Sequence, residues 1–206
     1  MANEYPIGTE GKPWGTQEIA LWLNQQSIKR RYADEVLVTI DSLRDDFELV
    51  QYGHLPYDQN RYPLYVAKTK SWQANSPTVL VTGGVHGYET SGVQGALGFL
   101  TGKAKDYESF FNLVVAPCIS PWGYETINRW NPDAIDPNRS FMPNSLSAEA
   151  THIMAYVNAQ QFNLLAHFDL HETTNTDNSE FRPALAARDA LFQAVWDIPD
   201  GFYTVD

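Results

Sequence analysis

The feature that most constrains the fold is a histidine and a glutamate three residues apart, His86 and Glu89, placed just after a short apolar run. The run Val79–Thr82 is rich in β-branched residues and is followed by Gly83 and Gly84. This pattern predicts a buried strand that ends in a tight turn. Catalytic groups often lie on loops that follow strands. The pair therefore indicates a sheet with a functional edge and supplies two potential metal ligands.

A third potential ligand, His171, ends another predicted strand. The segment Phe168–His171 alternates apolar and polar residues, and polar Thr173 follows it closely. Three protein ligands leave one position of a tetrahedral zinc ion open, as in catalytic rather than structural sites. The alternative is that His86 and His171 are hydrogen-bonded core residues, because a His-x-x-Glu spacing often occurs by chance.

Asp169 lies on the same face of this predicted strand as His171, because side chains alternate along a strand. A carboxylate in that position can accept a hydrogen bond from the imidazole of a metal ligand and fix its orientation. We therefore expect Asp169 to accept a hydrogen bond from the imidazole of His171 and so to orient it, with His167 on the same face of the strand.

Asn138 and Arg139 stand side by side in the segment Asp136–Phe141. A guanidinium next to a carboxamide can bind a carboxylate through two hydrogen bonds, which a lysine could not reproduce. The alternative is an Asp-Pro-Asn turn that carries a surface arginine.

In this order, His86-x-x-Glu89, Asn138-Arg139 and His171 resemble the motifs of the zinc carboxypeptidase superfamily, which includes the aspartoacylase and succinylglutamate desuccinylase branch. The resemblance implies that His86, Glu89 and His171 bind one zinc ion per chain. It also implies that Asn138 and Arg139 bind the carboxylate of a substrate.

The resemblance extends roughly from Phe47 to Ala187 and places Arg129 where the superfamily has an arginine that stabilises the developing oxyanion. It implies an α/β fold of the phosphorylase/hydrolase-like type, with a mixed, largely parallel, doubly wound sheet and helices on both faces. The alternation of predicted strands and helices favours the same fold class independently.

The predicted reaction is zinc-dependent hydrolysis of an amide bond next to a free carboxylate, through a metal-bound water. Two neutral imidazoles and one carboxylate leave net positive charge on zinc, which lowers the pKa of water towards about 7. The first interpretation is a carboxypeptidase-like enzyme acting on peptides. An N-acyl amino acid deacylase is the alternative, and the separation of 82 residues between Glu89 and His171 resembles that branch. A binding protein without catalysis is the third.

The general base of the superfamily has no match in this chain. After His171 the only glutamates are Glu172 and Glu180. Glu172 should point away from the metal, because neighbouring strand side chains face opposite ways. The apolar end Tyr203–Asp206 is typical of a beginning strand. We therefore expect residues 1–206 to form a single zinc carboxypeptidase-like catalytic domain that lacks its C-terminal part, binds zinc and hydrolyses poorly.

The net charge of −11 argues against nucleic acid or an anionic membrane as a partner, since both require a basic surface. The sequence contains no apolar run long enough to span a bilayer and no signal-peptide pattern. The single cysteine, Cys118, fits a reducing compartment and is expected to be an inert core residue. These features predict a cytoplasmic protein and leave its oligomeric state open.

Hydrophobic periodicity and turn residues predict the order of helices and strands. Predicted helices are Thr16–Arg30, Ala33–Leu43, Thr90–Leu100, Ser147–Gln160 and Pro183–Val195. Predicted strands are Phe47–Tyr52, Tyr62–Lys68, Thr78–Thr82, Asn112–Pro117 and Asn163–Leu170. Between them, Ile119–Asn144 is expected to be a long functional loop.

Overall fold

The computed structural model describes residues 5–202 and residue 204. Two compact units are present: Ser27–Glu172, and the described parts of Met1–Gln26 together with Thr173–Asp206. Of the strand predicted to begin at the C-terminus, Tyr203, Val205 and Asp206 lie outside the described residues.

The larger unit contains a five-stranded mixed sheet in the order β1-β2-β4-β3-β5. Its strands are β1 (Phe47–His54), β2 (Pro63–Thr69), β3 (Thr78–Gly83), β4 (Asn112–Ala116) and β5 (Leu164–Leu170). Strand β2 pairs antiparallel with both β1 and β4, whereas β3 pairs parallel with both β4 and β5. The predicted mixed α/β sheet is therefore confirmed, with its parallel part at the β5 side.

Seven α-helices accompany the strands within the described residues. They are α1 (Thr16–Asn24), α2 (Val38–Ser42), α3 (Thr90–Gly102), α4 (Ala104–Tyr107), α5 (Pro121–Thr126), α6 (Ala148–Gln160) and α7 (Arg182–Asp189). Two π-helical turns, Ala33–Leu37 and Asp177–Phe181, lead into α2 and α7, and Pro137–Arg139 forms a 3₁₀ turn.

Helices cover both faces of the sheet, as predicted. On one face, α3 packs Ala96 and Leu100 against a core that includes Leu113 and Val115 of β4. On the other face, α6 packs Ile153 and Tyr156 against a core that includes Val114 and Ala116 of the same strand. Because strand side chains alternate between faces, one all-buried strand supplies both cores.

The predicted helix Thr16–Arg30 is too long, since α1 ends at Asn24. The residues beyond it bond elsewhere in the larger unit. The backbone N–H groups of Lys29 and Arg30 both donate to the carbonyl of Glu125, at 2.8 and 3.3 Å. These long-range bonds replace the contacts that would have continued the helix, and hydrophobic periodicity carries no information about them.

Helix α6 is preceded by a serine that caps its first turn. The hydroxyl of Ser147 accepts a hydrogen bond from the backbone N–H of Ala150 at 3.3 Å, which satisfies one of the free donors of the first turn. Ser147 is therefore the N-cap of α6, and the helix predicted from Ser147 to Gln160 is confirmed to within one residue.

Strand β5 is the edge of the sheet, and several of its apolar side chains are exposed. Leu165 is 62% exposed and Phe168 57% exposed. Parallel strands are usually covered on both faces, so this edge is unusually open for its position.

In the smaller unit, α1 and α7 are joined through the residues that precede α1. The backbone N–H of Trp14 donates to the carbonyl of Arg188 at 2.8 Å. Helix α7 ends at Asp189, earlier than the predicted Val195, because Ala190 adopts a left-handed conformation with φ of 54°. No helix in the described part of the chain has both the length and the apolar character needed to cross a membrane.

Candidate metal centre

The three predicted metal ligands meet at one edge of the sheet. His86 and Glu89 lie between β3 and α3, and His171 directly follows β5. Because β3 and β5 are parallel neighbours, their carboxyl ends lie at the same edge. One ligand atom from each of the three residues can be chosen so that all lie within 4.8 Å of one another.

A close approach of α3 to β5 brings Glu89 and His171 together across 82 residues of sequence. Gly92, in the first turn of α3, packs against the carbonyl of Leu170 at the end of β5. A Cβ atom at Gly92 would lie 2.3 Å from that oxygen, so only glycine allows this approach. As a result, Oε2 of Glu89 lies 2.7 Å from Nδ1 of His171.

The hydrogen bonds of the two histidines leave their Nδ1 atoms facing the ligand carboxylate. Nε2 of His86 lies 3.0 Å from Asp136, and Nε2 of His171 lies 2.6 Å from Asp169. Because ionised carboxylates only accept hydrogen bonds, both Nε2 atoms carry hydrogen, and a neutral imidazole then has a lone pair at Nδ1. Both Nδ1 atoms lie 2.7 Å from oxygens of Glu89.

Two lone pairs directed at a carboxylate require positive charge between them, which either a proton or a metal cation supplies. Two imidazole nitrogens and a carboxylate are a donor set that zinc readily accepts. The tautomers that Asp136 and Asp169 impose on His86 and His171 therefore fit a divalent metal ion between the two Nδ1 atoms and Glu89.

The pKa shifts of His171 and Glu89 show how these two residues interact when no metal ion is bound. Burial alone would lower the pKa of His171, but hydrogen bonds with Asp169 and Glu89 raise it to about 10. Burial alone would raise the pKa of Glu89, but hydrogen bonds with His171 and His86 lower it to about 2. In the metal-free protein a proton on His171 thus supplies the charge that a metal ion would otherwise supply.

Asp136 links the metal ligands to the arginine predicted to stabilise an oxyanion. It is buried, with Oδ1 against Nε2 of His86 and Oδ2 accepting from Nε of Arg129 at 3.0 Å. Burial raises the pKa of Asp136, but His86 and Arg129 outweigh it and hold this pKa well below its usual range. Asp136 therefore links Arg129 to His86, one of the predicted metal ligands.

Asn138 and Arg139 lie in the 3₁₀ turn that follows Asp136. The backbone N–H of Asn138 donates to Oδ1 of Asp136 at 2.9 Å, the same oxygen that contacts His86. Arg139 is exposed, and its guanidinium donates to the carbonyl of Asn138 at 3.2 Å. Asp136 thus connects this turn to His86, a predicted metal ligand, and the Arg139 side chain lies at the surface.

Asp169 accepts hydrogen bonds from two sides, as expected of a residue that orients His171. Its Oδ1 accepts from the hydroxyl of Thr82 at 2.6 Å while Oδ2 faces His171. The Thr82 oxygen in turn lies 2.8 Å from Nε2 of His167. Because the Thr82 hydrogen is directed at Asp169, His167 is the donor in this contact, and the chain of hydrogen bonds runs from β5 across β3 and back.

Two residues of this site were missed by sequence reasoning. Asp136 was interpreted only as part of a turn, although an aspartate two residues before Asn138 was a signal for a buried acceptor. Thr82 was assigned only to a strand, and its role depends on the pairing of β3 with β5, which sequence alone does not give. The aromatic side chains of the long loop, Trp122, Tyr124 and Trp130, are buried. They pack within the larger unit, so this part of the long loop belongs to its interior.

Comparison with known proteins identifies relatives of the chain. The family model for the succinylglutamate desuccinylase/aspartoacylase catalytic domain matches residues 75–196, more than half of the sequence. A structure named "putative metallopeptidase" from Shewanella amazonensis is 26% identical, with a TM-score of 0.57 over 66% of this chain and 53% of that chain. A metallo-carboxypeptidase from Burkholderia cenocepacia is 15% identical, with a TM-score of 0.56 over 78% of this chain and 41% of that chain.

The similarity to the Burkholderia structure shows a shared fold. The sequence matches no protein of curated function. The chain spans about half the length of the Shewanella structure that it matches.

Proposed function

We propose that this chain, which belongs to the succinylglutamate desuccinylase/aspartoacylase catalytic-domain family within the zinc carboxypeptidase superfamily, is a zinc-dependent hydrolase. The proposed reaction is hydrolysis of an amide bond next to a free carboxylate. The observation that carries this proposal is the pair of Nδ1 atoms of His86 and His171 facing Glu89 at 2.7 Å, with both Nε2 atoms held by aspartates. The proposed metal content is one zinc ion per chain, held by these three residues.

Zinc in this position would polarise the scissile carbonyl and make water a stronger nucleophile near neutral pH. The protein's own residues orient the proposed ligands and stabilise the charge that develops on the substrate. Asp136 and Asp169 fix the tautomers of His86 and His171, so that both rings keep their Nδ1 atoms available. In the proposed reaction, Arg129 places positive charge beside the carbonyl oxygen that becomes negative.

Asn138 and Arg139 are the proposed binding residues for the substrate carboxylate. The exposure of Arg139 leaves its guanidinium accessible from solvent, and the hydrogen bond of Asn138 to Asp136 ties the turn to the metal ligands. An arginine that grips a carboxylate at a fixed distance from the metal aligns the neighbouring amide bond for attack.

Peptides and N-acyl amino acids remain the two proposed substrate classes, because both present an amide bond next to a carboxylate. The carboxypeptidase-like structural neighbour supports the first class, and the matched family supports the second. We further propose that residues 1–206 belong to a single catalytic domain.

Carboxylate recognition provides the test of this proposal, because it does not depend on the unassigned general base. We would titrate zinc-loaded protein with an N-acetylated amino acid and with its C-terminal amide, and assay hydrolysis of acyl amino acids and short peptides in parallel. The free carboxylate should bind at least about tenfold more tightly than the amide, because a charged, bidentate contact is lost in the amide.

Arg139→Gln should abolish this preference, whereas Arg44→Gln should keep it, because Arg44 is an exposed arginine paired with Asp41. Equal binding of acid and amide by the wild type would contradict the proposed substrate class. Hydrolysis of either substrate class would decide between the two enzymatic interpretations, and carboxylate binding without turnover would favour the binding protein.

A further inference from the structure

Glu172, the residue after the third proposed ligand, forms hydrogen bonds in two directions across the metal centre. Its backbone N–H donates to Oε2 of Glu89 at 3.2 Å. Its carboxylate accepts from the backbone N–H of Ser91 at 3.0 Å. The segment that follows β5 is therefore joined twice to the segment that begins α3, once at a ligand carboxylate and once two residues beyond it.

We propose that Glu172 is a positioning residue for the metal centre, acting through Glu89. This inference rests on the proposed function, since it concerns the metal site of that reaction. The side chain holds the backbone of residue 172 against the start of α3, and the backbone N–H of the same residue then holds one oxygen of Glu89 in place.

The geometry favours this role because Glu89 has few other constraints. Its Oε1 faces His86, and Oε2 is shared between His171 and the N–H of Glu172. Without the N–H contact, Oε2 would be fixed only by the imidazole that must itself bind the metal. A neutral donor that remains in place whether or not a metal is bound keeps the carboxylate oriented for both imidazoles.

The carboxylate of Glu172 is well matched to the backbone group that it contacts. Ser91 lies in the first turn of α3, where N–H groups have no partner within the helix and the helix dipole favours negative charge. Glu172 thus connects two chain segments that are 81 residues apart in sequence. The close packing of Gly92 against Leu170 brings these segments together, and Glu172 fixes their register at the ligands.

The same hydrogen bond shows where the side chain of Glu172 lies, which the sequence predicted to point away from the metal. A strand continuing regularly through His171 would have sent Glu172 to the opposite face. The carboxylate instead ends against the backbone of α3, where it is engaged as an acceptor.

The test is the zinc affinity of Glu172→Ala, measured by competition with a chromophoric chelator, together with thermal unfolding in the presence of EDTA. Removal of the side chain should weaken zinc binding about tenfold or more, the range found for residues that orient metal ligands. Glu172→Gln keeps an acceptor for the Ser91 N–H, so its zinc affinity should stay within about threefold of the wild type and rescue most of the loss.

Glu18→Ala is the matched control, because Glu18 Oε2 accepts from the backbone N–H of Gly15 at the start of α1 in the same way. This variant should lose a helix cap without change in zinc affinity. If Glu172→Ala does not fold, Glu172→Asp, with a side chain one carbon shorter, should show the same direction of effect on zinc binding.

An unchanged zinc affinity in Glu172→Ala, with or without a lower unfolding temperature in EDTA, would show that Glu172 only caps a helix and would overturn the inference. Failure of the proposed function is distinguishable from this result, because the wild-type protein itself would then fail to bind zinc.

Discussion

Asp169 and His171 are two residues apart at the end of β5, and Oδ2 of the aspartate lies 2.6 Å from Nε2 of the histidine. This contact determines which nitrogen of His171 faces Glu89. The orientation of His171, the third proposed ligand, therefore depends on a residue of the adjoining strand, and the hydroxyl of Thr82 on β3 donates to that aspartate.

Asp169→Asn should weaken zinc binding by about 10- to 100-fold, because the amide replaces a charged acceptor and can also rotate its NH₂ group towards Nε2. The zinc dissociation constant, obtained by chelator competition, measures the effect. Asp41→Asn provides the control, since Asp41 is an exposed partner of Arg44 and should leave zinc affinity unchanged. Equal affinities of Asp169→Asn and the wild type would show that Asp169 does not orient His171.

Zinc binding should release protons, because the pKa of His171 is raised to about 10 in the metal-free site by Asp169 and Glu89 despite the opposing effect of burial. Below that pKa the imidazole carries a proton that the metal must displace, so zinc affinity should fall as the pH falls. At about pH 7.5 we expect at least about one proton released per zinc bound, whereas a histidine with an unshifted pKa would release about 0.1.

Calorimetric titrations in buffers of different ionisation enthalpy measure this proton release directly. His171→Ala is not an informative control here, because it removes a ligand, whereas Asp169→Asn should reduce the release by lowering the pKa of His171. Release of less than about 0.3 proton by the wild type would contradict the charged state assigned to the metal-free site.

Gly87→Ala should prevent folding or destabilise the protein by more than about 4 kcal/mol, because the space beside Gly87 is filled by backbone. A Cβ atom there would lie 1.9 Å from the carbonyl carbon of Gly123 and 2.0 Å from the backbone nitrogen of Tyr124. Neither atom is the end of a flexible side chain, so the loop that carries His86 would have to move.

Gly98→Ala is the opposite case and the control for Gly87→Ala. Gly98 lies within α3, and apart from its chain neighbours and the adjacent backbone of that helix no atom lies within 4 Å of the position of an added Cβ. Alanine should therefore stabilise the protein by up to about 1 kcal/mol through its higher helix propensity. Urea unfolding in EDTA measures both variants, and a Gly87→Ala protein as stable as the wild type would contradict the close approach of the two loops.

The sequence predicted the parts of the fold that depend on local pattern. Strands β3, β4 and β5 are apolar or alternating runs, and each was predicted to within about one residue of its observed end. Helix α5 was missed inside the long loop Ile119–Asn144, because six residues provide too little periodicity to be recognised.

The site divides in the same way between local and long-range information. The residues with distinctive spacing, His86, Glu89 and His171, were found from sequence and lie together in the structure. Asp136 and the acceptor role of Glu172 were not found, because each depends on a contact between segments at least 50 residues apart. Such contacts depend on strand order and helix packing, and neither can be predicted from the local residue pattern.

Zinc content decides whether the proposed metal centre exists, and it is measured on purified wild-type protein beside His86→Ala and His171→Ala after dialysis against a metal buffer. We expect one zinc per wild-type chain and loss of zinc from both variants, because each variant leaves only two of the three proposed ligands. A folded wild-type protein without zinc, or with zinc retained in both variants, would contradict a metal centre formed by His86, Glu89 and His171.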